Sequence, residues 1–144
     1  MKRIVLGKTG LEVNRMGFGG IPIQTVDEDQ AVQTVLHAVE SGVDFIDTSR
    51  AYTTSEGRIG KALKQTDKKV ILASKSTNIT RDGVRGDLET SLKELQVGYI
   101  DLYQCHFINT DKAYDKVISE GGALDGLKKT FLYNPFQKIQ AVAC

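Results

Sequence analysis

Val70-Ile71-Leu72-Ala73-Ser74-Lys75 is an apolar run that ends on a lysine. It lacks the in-and-out alternation of a half-wet strand, and so predicts a strand covered on both faces, as the strands of a parallel sheet are. A lysine closing such a strand must meet an anion or give up its proton. The same six residues therefore mark a sheet and a charged site at its end.

Outward from this run, strand and helix signals alternate. Residues 55–64 predict a helix with Ser55 as N-cap and Ile59, Ala62 and Leu63 inward. Before it, Val43-Asp44-Phe45-Ile46-Asp47 predicts a strand, and residues 27–41 a helix with Val32, Val35, Leu36 and Val39 on one face and Gly42 as its stop. Met16-Gly17-Phe18-Gly19-Gly20 predicts a short buried strand entering a glycine turn. Residues 3–6 and 11–13 predict a hairpin around Gly7-Lys8-Thr9-Gly10. Toward the C-terminus, residues 81–95 predict a helix with Val84, Leu88, Leu92 and Leu95 inward. Tyr99 to His106 predicts a strand, and a polar loop then leads to a helix near 122–130 with Leu124 and Leu127 inward.

This alternation implies right-handed βαβ units and a parallel sheet. An open doubly wound sheet and an arc of a (β/α)8 barrel both satisfy it. Asp47, Lys75 and His106 end three successive strands, and a barrel gathers such ends on one rim. The expected fold is α/β: a partial TIM barrel of four to five parallel strands preceded by a β-hairpin, in a single domain spanning 1–144. A complete barrel needs roughly 250 residues, so 144 residues supply about half.

Composition narrows the function classes. Apolar residues make up 40%, charged residues 26%, and the net charge is +1, which gives no footprint for nucleic acid or an anionic membrane. The basic start Met1-Lys2-Arg3 is followed by an apolar run broken at Gly7, too short for a signal peptide, and no stretch is long enough to span a bilayer. Two cysteines, Cys105 and Cys144, give no disulfide framework. A cytoplasmic protein without a metal site is expected, since Cys105 and His106 are strand neighbours and point apart.

Taken singly, Asp47 can cap a turn, Tyr52 can pack with a wet hydroxyl, and His106 can be a satisfied core histidine. Together with Lys75 they allow proton transfer by an activated tyrosine. A free phenol titrates near ~10, and a lysine ammonium beside it favours the phenolate. An aspartate paired with that lysine holds the ammonium charged. None of these groups delivers a hydride, so a reducing cofactor is implied. Tyr103 and Phe107 are expected in the core or the pocket wall. Gly17-Phe18-Gly19-Gly20 has the wrong spacing for a dinucleotide fingerprint and reads as a tight turn.

Gly42-Val43-Asp44-Phe45-Ile46-Asp47-Thr48-Ser49-Arg50-Ala51-Tyr52 resembles the motif of the aldo-keto reductase family, with aspartate five residues before tyrosine. Residues 88–95 followed by Tyr99-Ile100-Asp101-Leu102-Tyr103 resemble its helix-to-strand signature, and residues 6–13 its opening hairpin. The resemblance covers about residues 3–128. It implies NAD(P)H-dependent reduction of an aldehyde or ketone, with Tyr52 as general acid, Asp47 and Lys75 tuning it, and His106 orienting the carbonyl. It also implies NADP as cofactor, approached by the backbone at Gly19 and Gly20 and by Asp47. Thr53 departs from the glycine common after that tyrosine.

From about residue 129 the sequence diverges from the family. Lys138 to Ala143 reads as a fifth strand, and Leu132-Tyr133-Asn134-Pro135 faintly resembles a segment near the family's sixth strand. A half barrel exposes strand edges, so a homo-oligomer associating through them is expected. The competing expectation is a truncated, catalytically silent relative that serves only as a folded or self-associating module.

Overall fold

Burial of the apolar stripes organises the chain. The computed structural model describes residues 2–133 and 140–143, with side chains for 2–130. Strands β1 (Arg3–Val5) and β2 (Glu12–Asn14) pair antiparallel as a hairpin. Strands β3 (Phe18–Gly19), β4 (Phe45–Asp47), β5 (Ile71–Ser76), β6 (Leu102–Cys105) and β7 (Gln140–Ala143) form a parallel sheet in that order. Helices α1 (Glu28–Glu40), α2 (Ser55–Leu63), α3 (Arg81–Leu95), α4 (Asp111–Ile118) and α5 (Ala123–Tyr133) occupy the connections. Strand order follows chain order without the reversal of a doubly wound sheet, as in an arc of a barrel.

Register fixes which side chains share a face. Ile46 pairs with Leu72, and Ser74 and Ser76 with Tyr103 and Cys105. On this face Ile46, Leu72, Tyr103 and Cys105 join Val35, Val39, Ile59, Leu88 and Leu95 from the helices in one core. The opposite face carries Asp47, Ala73, Lys75 and Gln104. Gly42, at φ +97°, lets the chain turn from α1 into β4 where a side chain would be strained. Gly60 lets α2 approach α3 so closely that a Cβ would strike the backbone of Glu94 and Leu95.

Several local expectations are corrected. Met16 is 62% exposed and β3 begins only at Phe18, so that segment is not a buried strand. Ser55 is the first residue of α2 and not its cap; its hydroxyl pairs with that of Thr48 at 2.9 Å. The polar loop holds α4, capped by the Thr110 hydroxyl, which accepts from the Ala113 N–H. Tyr99 is exposed and β6 starts at Leu102. Tyr103 is core as expected, whereas Phe107 is 75% exposed and stands edge-on to His106. The fifth strand runs over Gln140–Ala143 and pairs with β6. Lys138, Ile139, Asn134 and Pro135, which belong to the two tail readings, lie outside the described residues.

Candidate active site

Lys75 is carried to the end of β5, where its side chain is 14% exposed. Its Nζ donates to Asp47 Oδ2 at 2.6 Å and to the Thr48 carbonyl at 2.8 Å. The strand-ending lysine thus finds its anion on the neighbouring strand. The loop after β4 is strapped to β5 by Thr48 N–H to Ala73 O and Arg50 N–H to Lys75 O, each at 2.9 Å. That strapping carries Tyr52 over the pair, with Lys75 Nζ 5.4 Å from its ring centroid, within the range of a cation–π contact. His106 extends the ladder past β6 by donating its N–H to Ser76 O at 2.8 Å. Its ring meets Tyr52 edge-on, 5.7 Å between centroids. The four residues expected from sequence therefore converge on one rim.

Their electrostatics differ from expectation in one respect. The Tyr52 phenol sits above its ordinary range, first through burial and then through the negative charge of Asp47. The phenol is thereby held protonated. The Lys75 ammonium, beside the ring, donates to Asp47 and the Thr48 carbonyl. The His106 imidazole is held below its ordinary range by burial and then by the Lys75 charge, with Asp47 opposing. A neutral histidine and a protonated tyrosine side by side provide two donors for one oxygen. Thr53, just after Tyr52, adopts φ +31°, unusual for a β-branched residue, and its hydroxyl donates to Gln24 Oε1 at 2.9 Å.

Comparison with known proteins bears on this rim. The profile of the aldo/keto reductase family matches residues 15–130. The chain belongs to that family. It is 37% identical over 130 residues to L-galactose dehydrogenase of Arabidopsis thaliana, covering 80% of this chain and 40% of that protein. It is 35% identical over 126 residues to the aldo-keto reductase YhdN of Bacillus subtilis, covering 74% and 38%. A solved aldo-keto reductase from Bacillus halodurans, described as a holo form, superposes with a TM-score of 0.81 at 26% identity, over 99% of this chain and 50% of that one. The chain thus spans half or less of the length of these proteins.

The parallel sheet and its covering helices match the fold of these aldo-keto reductases as an arc of a barrel. A Cβ at Gly19 would meet nothing within 4 Å, and Gly19 pairs with Asp47 in register, so the backbone beside Asp47 is uncrowded on that side. At Gly20 a Cβ would strike the Ser55 hydroxyl and crowd Thr48, so packing requires glycine there. Among the described residues no cluster of three or more metal-ligating side chains occurs, and no helix is long and apolar enough to cross a membrane.

Sequence reasoning missed the supports of this site. Glu56 is 1% exposed, pairs with Arg50 and accepts from the Ser74 hydroxyl at 2.5 Å. This brace ties α2 to the Tyr52 loop and to β5. Ser49 also lies buried against His106. A glutamate at the start of an amphipathic helix reads as a helix-dipole partner, so nothing local marked Glu56 as buried.

Proposed function

We propose that this chain performs the proton-transfer part of carbonyl reduction, converting a small aldehyde or ketone to an alcohol at the expense of NAD(P)H. The observation that carries this reading is the edge-on meeting of the Tyr52 and His106 rings beside the Asp47–Lys75 pair. A bound reduced nicotinamide would supply the hydride to the carbonyl carbon, while the electron pair of the C=O π bond moves onto oxygen. Tyr52 gives its hydroxyl proton to that oxygen. The phenolate left behind is stabilised by the Lys75 ammonium, which Asp47 holds in place. His106 donates a hydrogen bond to the same oxygen and orients it. Gly19 and Asp47 would border the nicotinamide; NADP is the form favoured by the family resemblance.

Titration of NADPH fluorescence with the chain, followed by NADPH consumption with a small aldehyde, tests this. Binding at micromolar cofactor with consumption abolished in Tyr52→Phe supports the reading. Absence of binding at millimolar NADPH overturns it and leaves a folded, silent module. Self-association belongs to the same proposal, because β3 and β7 each pair on one side only among the described residues and such edges invite a second chain. A strictly monomeric species in sedimentation at micromolar concentration refutes that part.

A further inference from the structure

Ser49 is buried at the floor of the rim, between the two backbone hydrogen bonds that strap Thr48 and Arg50 to β5. Its Oγ lies 2.8 Å from His106 Nδ1, 3.3 Å from the Lys75 carbonyl, and accepts from the Ala51 N–H at 3.1 Å. A hydroxyl has one proton and two lone pairs. The Ala51 N–H occupies one lone pair. The single proton has two candidate acceptors, and 3.3 Å is long for an O–H donor while 2.8 Å is ordinary.

We infer that Ser49 is a positioning residue that donates to His106 Nδ1 and so fixes the imidazole as the Nε2–H tautomer. Nδ1 is then an acceptor already in use, and Nε2, carrying the proton, is the donor presented to a carbonyl oxygen. The opposite tautomer would present a lone pair to that oxygen and repel it. Other groups around the ring do not select a tautomer in this way: Tyr52 meets it edge-on, and the Lys75 ammonium is committed to Asp47 and the Thr48 carbonyl. Burial and that ammonium favour the neutral imidazole, the form in which a tautomer choice exists. The catalytic meaning of this assignment rests on the proposed carbonyl reduction; the tautomer itself does not.

The ¹⁵N resonances of the imidazoles in the full labelled chain test it directly. There are two histidines, His37 and His106, and His37→Gln assigns them. The native chain is expected to show a protonated Nε2 and an unprotonated Nδ1 at His106. Ser49→Ala should reduce that tautomer ratio about fivefold, as expected for losing one ordinary hydrogen bond. Ser55→Ala, which removes a buried hydroxyl facing Thr48, should leave it unchanged. A native spectrum with Nδ1 protonated overturns the inference without any variant, as does an unaltered His106 pattern in folded Ser49→Ala. If the chain consumes NADPH, Ser49→Ala should lower kcat in proportion to the fraction of His106 left as the Nε2–H tautomer in the spectra and leave KM for NADPH in place; a kcat that does not follow that fraction overturns the positioning role. If it consumes none, the proposed function fails while the spectra still decide the tautomer.

Discussion

Replacing Arg50 should damage this fold more than replacing its partner Glu56. Glu56 is 1% exposed and Arg50 is 25% exposed, so the two ends of the ion pair have unequal alternatives. In Arg50→Met the carboxylate is left inside with the Ser74 hydroxyl as its remaining hydrogen bond. Stranding a buried charge costs about 3–5 kcal/mol, and the partial exposure of the pair's outer end moves the expectation to about 3 kcal/mol. In Glu56→Gln the amide keeps a polar contact to Ser74, and Arg50 turns its guanidinium toward water. The loss is then that of one charge-assisted bond, about 1–2 kcal/mol. The double variant removes charge and counter-charge together and should cost about 2 kcal/mol, well below the sum, a coupling within the range seen for contacting pairs. Urea unfolding measures this: with a slope of about 1–3 kcal/mol per molar, a loss of 3 kcal/mol moves the midpoint by about 1 M or more. Equal costs for the two single variants, or additive ones, would refute the reasoning.

Two further outcomes are expected. The folded chain holds His106 below its ordinary range through burial and the Lys75 charge, so on acidification the unfolded chain takes up this proton first. Stability contributed by this group is therefore intact above the ordinary histidine range and falls as pH drops through it toward the folded value; His106→Gln should flatten that decline in the urea midpoint between about pH 7.5 and 5.5. Gly60→Ala should destabilise by about 1–3 kcal/mol in thermal or urea unfolding, although alanine is the better helix former, because the backbone of α3 stands where the methyl would go; a stabilised variant would contradict the close approach of α2 and α3.

The elements legible in the sequence were those whose burial repeats with their own period. Helix α3 runs over Arg81–Leu95 as its leucine spacing predicts, and β5 is displaced by a single residue from the apolar run that marks it. Helix α4 was opaque because, among its residues, only Val117 is buried; its one local signal was Thr110 at the cap position. Ser55 failed as a cap for the opposite reason: a residue type suited to capping is bonded to Thr48 across the loop. Site residues at strand ends were legible because topology alone brings Asp47, Lys75 and His106 to one rim. The brace of Arg50 and Glu56 and the contact of Ser49 with His106 were not: Arg50 and Glu56 stand six residues apart, but the carboxylate is also bonded to Ser74, 18 residues away, and His106 is 57 residues from Ser49. The direction of the Tyr52 shift follows from burial and the Asp47 charge, and the depth of that burial is encoded in no spacing.

The two faces of the sheet divide the labour of this chain. Asp47, Lys75 and, by strand alternation, His106 leave it on the side opposite Ile46, Leu72, Tyr103 and Cys105, which meet the helices. Selection can therefore rewrite the chemistry of the rim without renegotiating the helical interface that folds it. A lineage carrying such an arc is free to lose, regain or exchange an activity while its architecture persists.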